Sequence, residues 1–319
     1  MSDFYQALPK AELHLHLEGS VTPETLRELE PALGREEIAA HYRPSHDFAG
    51  FLLSFTWVLQ FLRTPADFAL AARRLLERLE AENVRYAEIT LSAGVMLRRK
   101  QDFEAIFAAV RREASASRVQ VRWILDAVRQ FGAAEAMAVA ELAAAHRKDG
   151  VVAFGIGGDE QAGPVQWFTE VFRYARKQGL RVTIHAGETD GAASVWGALE
   201  AGAERVGHGV RAVEDPGLLA ALRERDVAVE VCLSSNVATG AVAALSLHPL
   251  PVFLQAGVPV VLNTDDPGLF GITLSGEYEL AARAFGLTPP EIERLVQNGF
   301  RYAFDFRPGP PTALGATRF

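Results

Sequence analysis

The feature that most constrains the fold is an eightfold alternation. Short β-branched, apolar segments recur at residues 11–17, 84–92, 119–128, 151–158, 180–187, 204–210, 227–234 and 258–266. Between them lie Ala-, Leu-, Glu- and Arg-rich stretches with helical spacing, among them 64–82, 102–115 and 132–148. Alternating strands and helices imply a parallel sheet joined by right-handed crossovers. Eight such units are the number that closes an α/β barrel of the (β/α)8 TIM type.

At 319 residues, 49% of them apolar, the chain is long enough to bury such a barrel. No repeat or low-complexity linker divides it, so one domain over residues 1–319 is expected. The first βα connection, 18–83, is extended and contains "FAGFLLSFTWVLQFL" at 48–62. Such a connection lies on the ligand-binding face of a barrel, where it can serve as a lid or as plain packing. Extra helical patterns follow the last strand at 274–286 and 289–303, before the Pro/Gly-rich end "RPGPPTALGATRF".

A formal charge of −8 argues against nucleic acid or an anionic membrane surface as partner. The uncharged aromatic run 48–62 is shorter than the ~20 residues that cross a bilayer. One cysteine, Cys232, forms no internal disulfide, and "MSDFYQALPK" has no signal-type apolar core. These features point to the cytoplasm and to a small-molecule substrate. Homo-oligomerisation is left open.

Catalytic groups in these barrels sit at the C-terminal ends of strands. Here those ends carry His14 and His16 on the first strand, His185 and Glu188 in "HAGE", His208 in "GHG", and Asp265 and Asp266 in "NTDDP". Strand residues two apart share a face, so His14 and His16 converge. Three imidazoles and a carboxylate suit one zinc-like ion, with His185 or His208 as the third imidazole. Such an ion lowers the pKa of bound water toward ~7. A buried Glu188 would have its neutral form favoured and could donate a proton, while His208 takes or orients one. Gly157 and Gly158 at the end of the fourth strand leave bare backbone for a flat substrate. His41, His46, His146 and His248, in helical or loop contexts, are read as structural, and Cys232 as core.

These residues fall into the motifs "LPKAELHLHLEG", "GGDE", "HAGE", "GHG", "SSN" and "NTDDP", spread over nearly the whole chain. In that order they resemble the adenosine deaminase family of the amidohydrolase superfamily. The resemblance implies one Zn2+ per chain on His14, His16, His185 and Asp265, with Asp265 also among the catalytic groups and His16 facing the substrate. It implies that Glu188 protonates ring N1 of a 6-aminopurine while His208 positions the attacking hydroxide. Asp266 would contact N7 and the Gly158 amide N3. A second, bridged metal is not implied, because no lysine ends the fourth strand. The cysteine-rich signature of another class of zinc deaminases is excluded by the single cysteine.

Substrate choice turns on smaller differences. Adenosine deaminases usually read "HLDG" where this chain has Glu18. "AEITLSAGVML" and "SSNVATGAV" look like the subgroup that deaminates aminodeoxyfutalosine, an adenine nucleoside with a benzoate-bearing extension, in menaquinone synthesis. Glu18 and Ser92 are then candidate substrate contacts. The alternatives are adenosine, deoxyadenosine or adenine deamination in purine salvage, hydrolysis of another C–N bond such as a cyclic amide, and a catalytically inactive purine-binding protein.

Overall fold

The computed structural model describes residues 2–42 and 47–308; His46 and the 309–319 end lie outside them. Eight parallel strands form one sheet in sequence order: β1 (Lys10–His16), β2 (Val84–Leu91), β3 (Gln120–Val128), β4 (Val151–Gly157), β5 (Arg181–Ala186), β6 (Arg205–His208), β7 (Ala228–Val231) and β8 (Val260–Leu262). A parallel bridge between Leu15 and Asp265 brings β8 back to β1, so the sheet curls into a (β/α)8 barrel. Connecting helices such as Pro65–Ala81 and Phe103–Ala116 turn an apolar stripe onto the sheet and start at side-chain caps. Thr64 and Asp67 form a reciprocal capping box at the first of these.

The last three strands are shorter than their apolar runs predict, because their C-terminal residues leave the ladder to build the barrel mouth. After β8, the Asn263 side chain stands in for a ladder carbonyl, accepting from the Leu13 and His14 N–H groups at 2.8 and 3.1 Å. His208 (φ +60°) and Asp265 (φ +67°) then adopt left-handed backbone. For non-glycine residues that conformation costs about 1–2 kcal/mol each and is found where surrounding structure enforces it.

The opposite mouth is plugged. Arg205, fully buried, bridges Glu88 and Glu230 at 2.5 Å each, and the Phe304 ring lies 3.6 Å from its guanidinium carbon. The helix Pro289–Arg301 packs under β1 and β8, where Asn298 donates to the Val260 carbonyl at 2.9 Å. Among the described residues, no helix is long and apolar enough to cross a membrane.

Candidate active site

The residues at the C-terminal strand ends converge. One donor atom each from His14, His185, His208 and Asp265 lies within 4.8 Å of the others. His16 joins them, its Nε2 3.3 Å from Asp265 Oδ1, against 3.2 Å for His14 Nε2. The buried cluster thus holds all four histidines that the strand ends offered, one more than a three-imidazole site uses.

Two of the imidazoles are oriented through Nδ1. His14 Nδ1 meets Glu230 Oε2 at 2.7 Å, and His185 Nδ1 meets the Ile156 carbonyl at 3.1 Å. A ring that donates from Nδ1 keeps the Nε2 lone pair for a metal. His14 Nε2 is buried without a hydrogen-bond partner. An orphaned imidazole nitrogen among two further imidazoles and a carboxylate is what a divalent ion of the zinc type requires, so the residues fit such an ion. Gly207 makes the approach feasible, since a Cβ there would sit 2.9 Å from His14 Cε1.

Burial sets the protonation of the neighbouring groups. It lowers the His16 pKa to about 4 and the His208 pKa to about 3, keeping both rings neutral. Glu188, 7% exposed, is raised well above the usual carboxyl range by burial and then by the charges of Asp265 and Glu160. Its Oε2 lies 3.7 Å from His208 Nε2. The adjacent aspartates diverge. Burial works against ionisation of Asp265, but the His14 imidazole beside it outweighs that cost and holds this carboxyl well below its ordinary value. Asp266 is pushed well above by burial and then by Asp265, and its Oδ1 has no partner. Carboxyl groups driven apart in this way divide acid and anion roles between them.

Above the cluster opens a cavity of about 230 Å³, the scale of a small-molecule site. His16, Ser92, Gly158, Glu188, His208, Asp265 and Asp266, all expected at the site, line it. Gly158 has φ +94°, and a Cβ there would collide with Gln130 Oε1 at 2.3 Å. Phe48, Phe51, Leu52, Phe55 and Leu59 form a helical stripe on the helix Phe48–Val58 and the turn after it, and this stripe makes an aromatic wall of the cavity. Glu18 stands back from the lining: it is fully buried, its Oε1 accepts from the Ser92 N–H at 2.9 Å, and its Oε2 has no partner.

Other groups at the site escaped the sequence reading. Glu160, the acid of "GGDE", accepts from the N–H groups of Gly187, Glu188 and Thr189 at 2.8 Å each and so pins the turn that carries Glu188. Asp126, at the end of β3, lines the cavity with its pKa raised by burial to about 8. Glu230 on β7 orients His14. Both acids interrupt apolar strand runs, "WILDAV" and "VAVEVCL". An ionisable residue inside a barrel strand is the signal that could have found them. The helix Leu233–Ala238 turns Ser235 toward Asp265 Oδ2 at 2.6 Å and Asn236 toward His208. His248 is buried against Asn236 and belongs to the site's support. His146, bonded to Glu104 and Asp149, and His41, stacked on Trp57, lie in structural contacts away from the cavity.

Comparison with known proteins follows the same lines. The adenosine deaminase family model matches residues 9–308. The chain belongs to the adenosine deaminase family. Among its relatives in the family, an aminodeoxyfutalosine deaminase of Streptomyces coelicolor is 38% identical over 96% of this chain and 82% of its own. An adenosine deaminase of Serratia proteamaculans is 39% identical over 93% and 94%. Among solved structures, an adenine deaminase from Arthrobacter aurescens superposes with a TM-score of 0.87 at 30% identity, covering 94% of this chain and 95% of that one. An amidohydrolase from Burkholderia ambifaria, solved with bound zinc, gives 0.89 at 29% identity over 96% and 88%.

Proposed function

We propose that this adenosine deaminase family member is a zinc-dependent hydrolytic deaminase of a 6-aminopurine, with 6-amino-6-deoxyfutalosine as its substrate in menaquinone synthesis. The observation that carries the chemistry is the placement of Glu188: a buried carboxyl with its neutral form favoured, at the cavity floor beside His208 and the imidazole cluster. His14, His16, His185 and Asp265 would hold the ion, which when bound supplies hydroxide at neutral pH.

The chain's own groups then divide the work. Glu188 holds the proton that ring N1 takes as C6 is attacked. Asp266, whose neutral form burial also favours, offers an O–H toward N7, and the Gly158 N–H faces N3. His208 aligns the attacking oxygen. The C6–N bond breaks and ammonia leaves, the overall reaction consuming one water. The aromatic wall from Phe48 to Leu59 supports a substrate with an aryl extension, which would lie against it. Glu18 acts through Ser92, whose N–H it holds at the cavity wall.

Ammonia release from the zinc-loaded protein with aminodeoxyfutalosine, adenosine, deoxyadenosine and adenine side by side tests this. A kcat/KM lead for aminodeoxyfutalosine supports the full reading. A lead for adenosine or adenine keeps the deaminase chemistry and places the enzyme in purine salvage, the reading favoured by the 39% identity to the Serratia enzyme. No release from any of the four removes the deaminase reading.

A further inference from the structure

Three of the four clustered histidines could complete the ion's ligand set with Asp265, and nothing in their crowding alone says which one stands aside. Hydrogen bonds behind the cluster decide it. The Leu250 N–H donates to His248 Nδ1 at 3.1 Å. A backbone N–H can only donate, so His248 Nδ1 carries a lone pair and the neutral ring has its proton on Nε2. That Nε2–H faces Asn236 Oδ1 at 3.1 Å, which fixes the amide with its NH2 turned the other way. Asn236 Nδ2 therefore donates to His208 Nδ1 at 3.0 Å. Each link has one polarity only, and all three side chains are buried.

From this chain we infer that Asn236 and His248 are positioning residues that lock His208 in its Nε2–H tautomer, making it a hydrogen-bond donor in the cavity and barring it from the metal. The arrangement is the reverse of that at His14 and His185, whose Nδ1 atoms face acceptors and whose Nε2 lone pairs stay free. With a proton on Nε2, His208 has no lone pair pointing into the cluster, so His16 takes the remaining ligand place. For the reaction proposed above, on which this inference builds, His208 begins the cycle already protonated at the nitrogen nearest Glu188 Oε2. It therefore aligns the nucleophile by donating to it and does not begin as a base.

Nitrogen-15 NMR of the zinc-loaded protein with labelled histidine reads the lock directly. His208, assigned by a His208→Asn control, should show a bare Nδ1 and a protonated Nε2. A protonated Nδ1 in the unaltered protein overturns the inference. Asn236→Asp replaces the donor by an acceptor and should move a proton onto His208 Nδ1. With that change kcat should fall by about 100-fold or more while KM shifts much less, as expected for a group that acts in the transition state. An Asn236→Asp protein with the original tautomer and an unchanged kcat overturns it as well. His248→Leu should give mixed tautomers and a loss of roughly tenfold in kcat, and His248→Gln, which can still donate to Asn236, should restore most of it. Should Asn236→Asp fail to fold, the spectrum of the unaltered protein and the two His248 variants decide. The tautomer readout needs no substrate, so a failed deaminase reading and a failed lock are told apart.

Discussion

Glu230 Oε2 lies 2.7 Å from His14 Nδ1, and its other oxygen meets Arg205 at 2.5 Å. The barrel floor and the histidine cluster at its mouth are therefore joined through one carboxylate. That carboxylate stays ionised against the cost of burial because Arg205 and His14 hold its pKa near 2. Replacing it by an amide removes the charge that favours the Nδ1–H form of His14. Glu230→Gln should weaken zinc binding by roughly 10- to 100-fold, the usual cost of losing the partner behind a ligand. Competition against a zinc chelator measures it, and an unchanged affinity would show that His14 needs no help from β7. His14→Ala should lose the ion altogether, together with turnover.

As the proposed proton donor, Glu188 should set the alkaline limit of activity. Burial and the charges of Asp265 and Glu160 raise its pKa well above 4.5, so the neutral, proton-donating form persists beyond the ordinary carboxyl range and is lost as pH rises through the raised value. The kcat/KM profile should fall on its alkaline side for that reason. Glu188→Gln should keep stoichiometric zinc while kcat drops by about 100- to 10,000-fold, the range for a lost general acid. A near-normal rate in that variant would assign the proton to another group, Asp126 being next in reach of the cavity.

The sequence displays the barrel and the paired histidines of its first strand because both follow from periodicity. Eight apolar runs give the strands, and His14 and His16 share a face by the strand's period of two. The supporting groups are less legible because their roles depend on distant partners. Asn236 and His248 are separated by 12 residues and meet only when the helix after β7 folds back over the mouth. Glu18 reads as a substrate contact from its place beside the histidines, yet its side chain turns toward the Ser92 backbone, 74 residues away. The left-handed backbone at His208 and Asp265 falls on residues other than glycine, so the sequence does not announce it.

Glu277 links the helix Leu274–Phe285 to the helix Leu233–Ala238 after β7, accepting from the Ser234 N–H at 3.0 Å and from its hydroxyl at 2.5 Å. Burial raises its pKa from 4.5 to about 7 in spite of those bonds. The folded state then binds the proton more tightly than the unfolded state does. The resulting stabilisation is fully present below about pH 4.5 and is lost as pH rises through about 7, an effect of about 3 kcal/mol at most for this shift. Glu277→Gln should flatten that part of the stability curve. Denaturant unfolding at pH 5 and pH 7.5 checks it: an unchanged difference between the two would assign the pH dependence to other buried carboxyls, such as Glu12.

Phe51 and Phe55 test what the aromatic wall is for. Both line the cavity from the helix Phe48–Val58, and Phe51 also stacks on Phe270 with ring centroids 5.6 Å apart. If an aryl extension of the substrate lies against them, each ring contributes apolar burial only when that extension is present. Removing one Phe side chain from such a contact costs about 1.5–3 kcal/mol, or roughly tenfold or more in kcat/KM. Phe51→Ala and Phe55→Ala should therefore lower kcat/KM for aminodeoxyfutalosine by that factor and leave adenine within about threefold. Equal losses for both substrates would mean that the helix closes the site for any purine. Specificity would then have to come from the β2 end, where Glu18 holds Ser92 at the cavity wall.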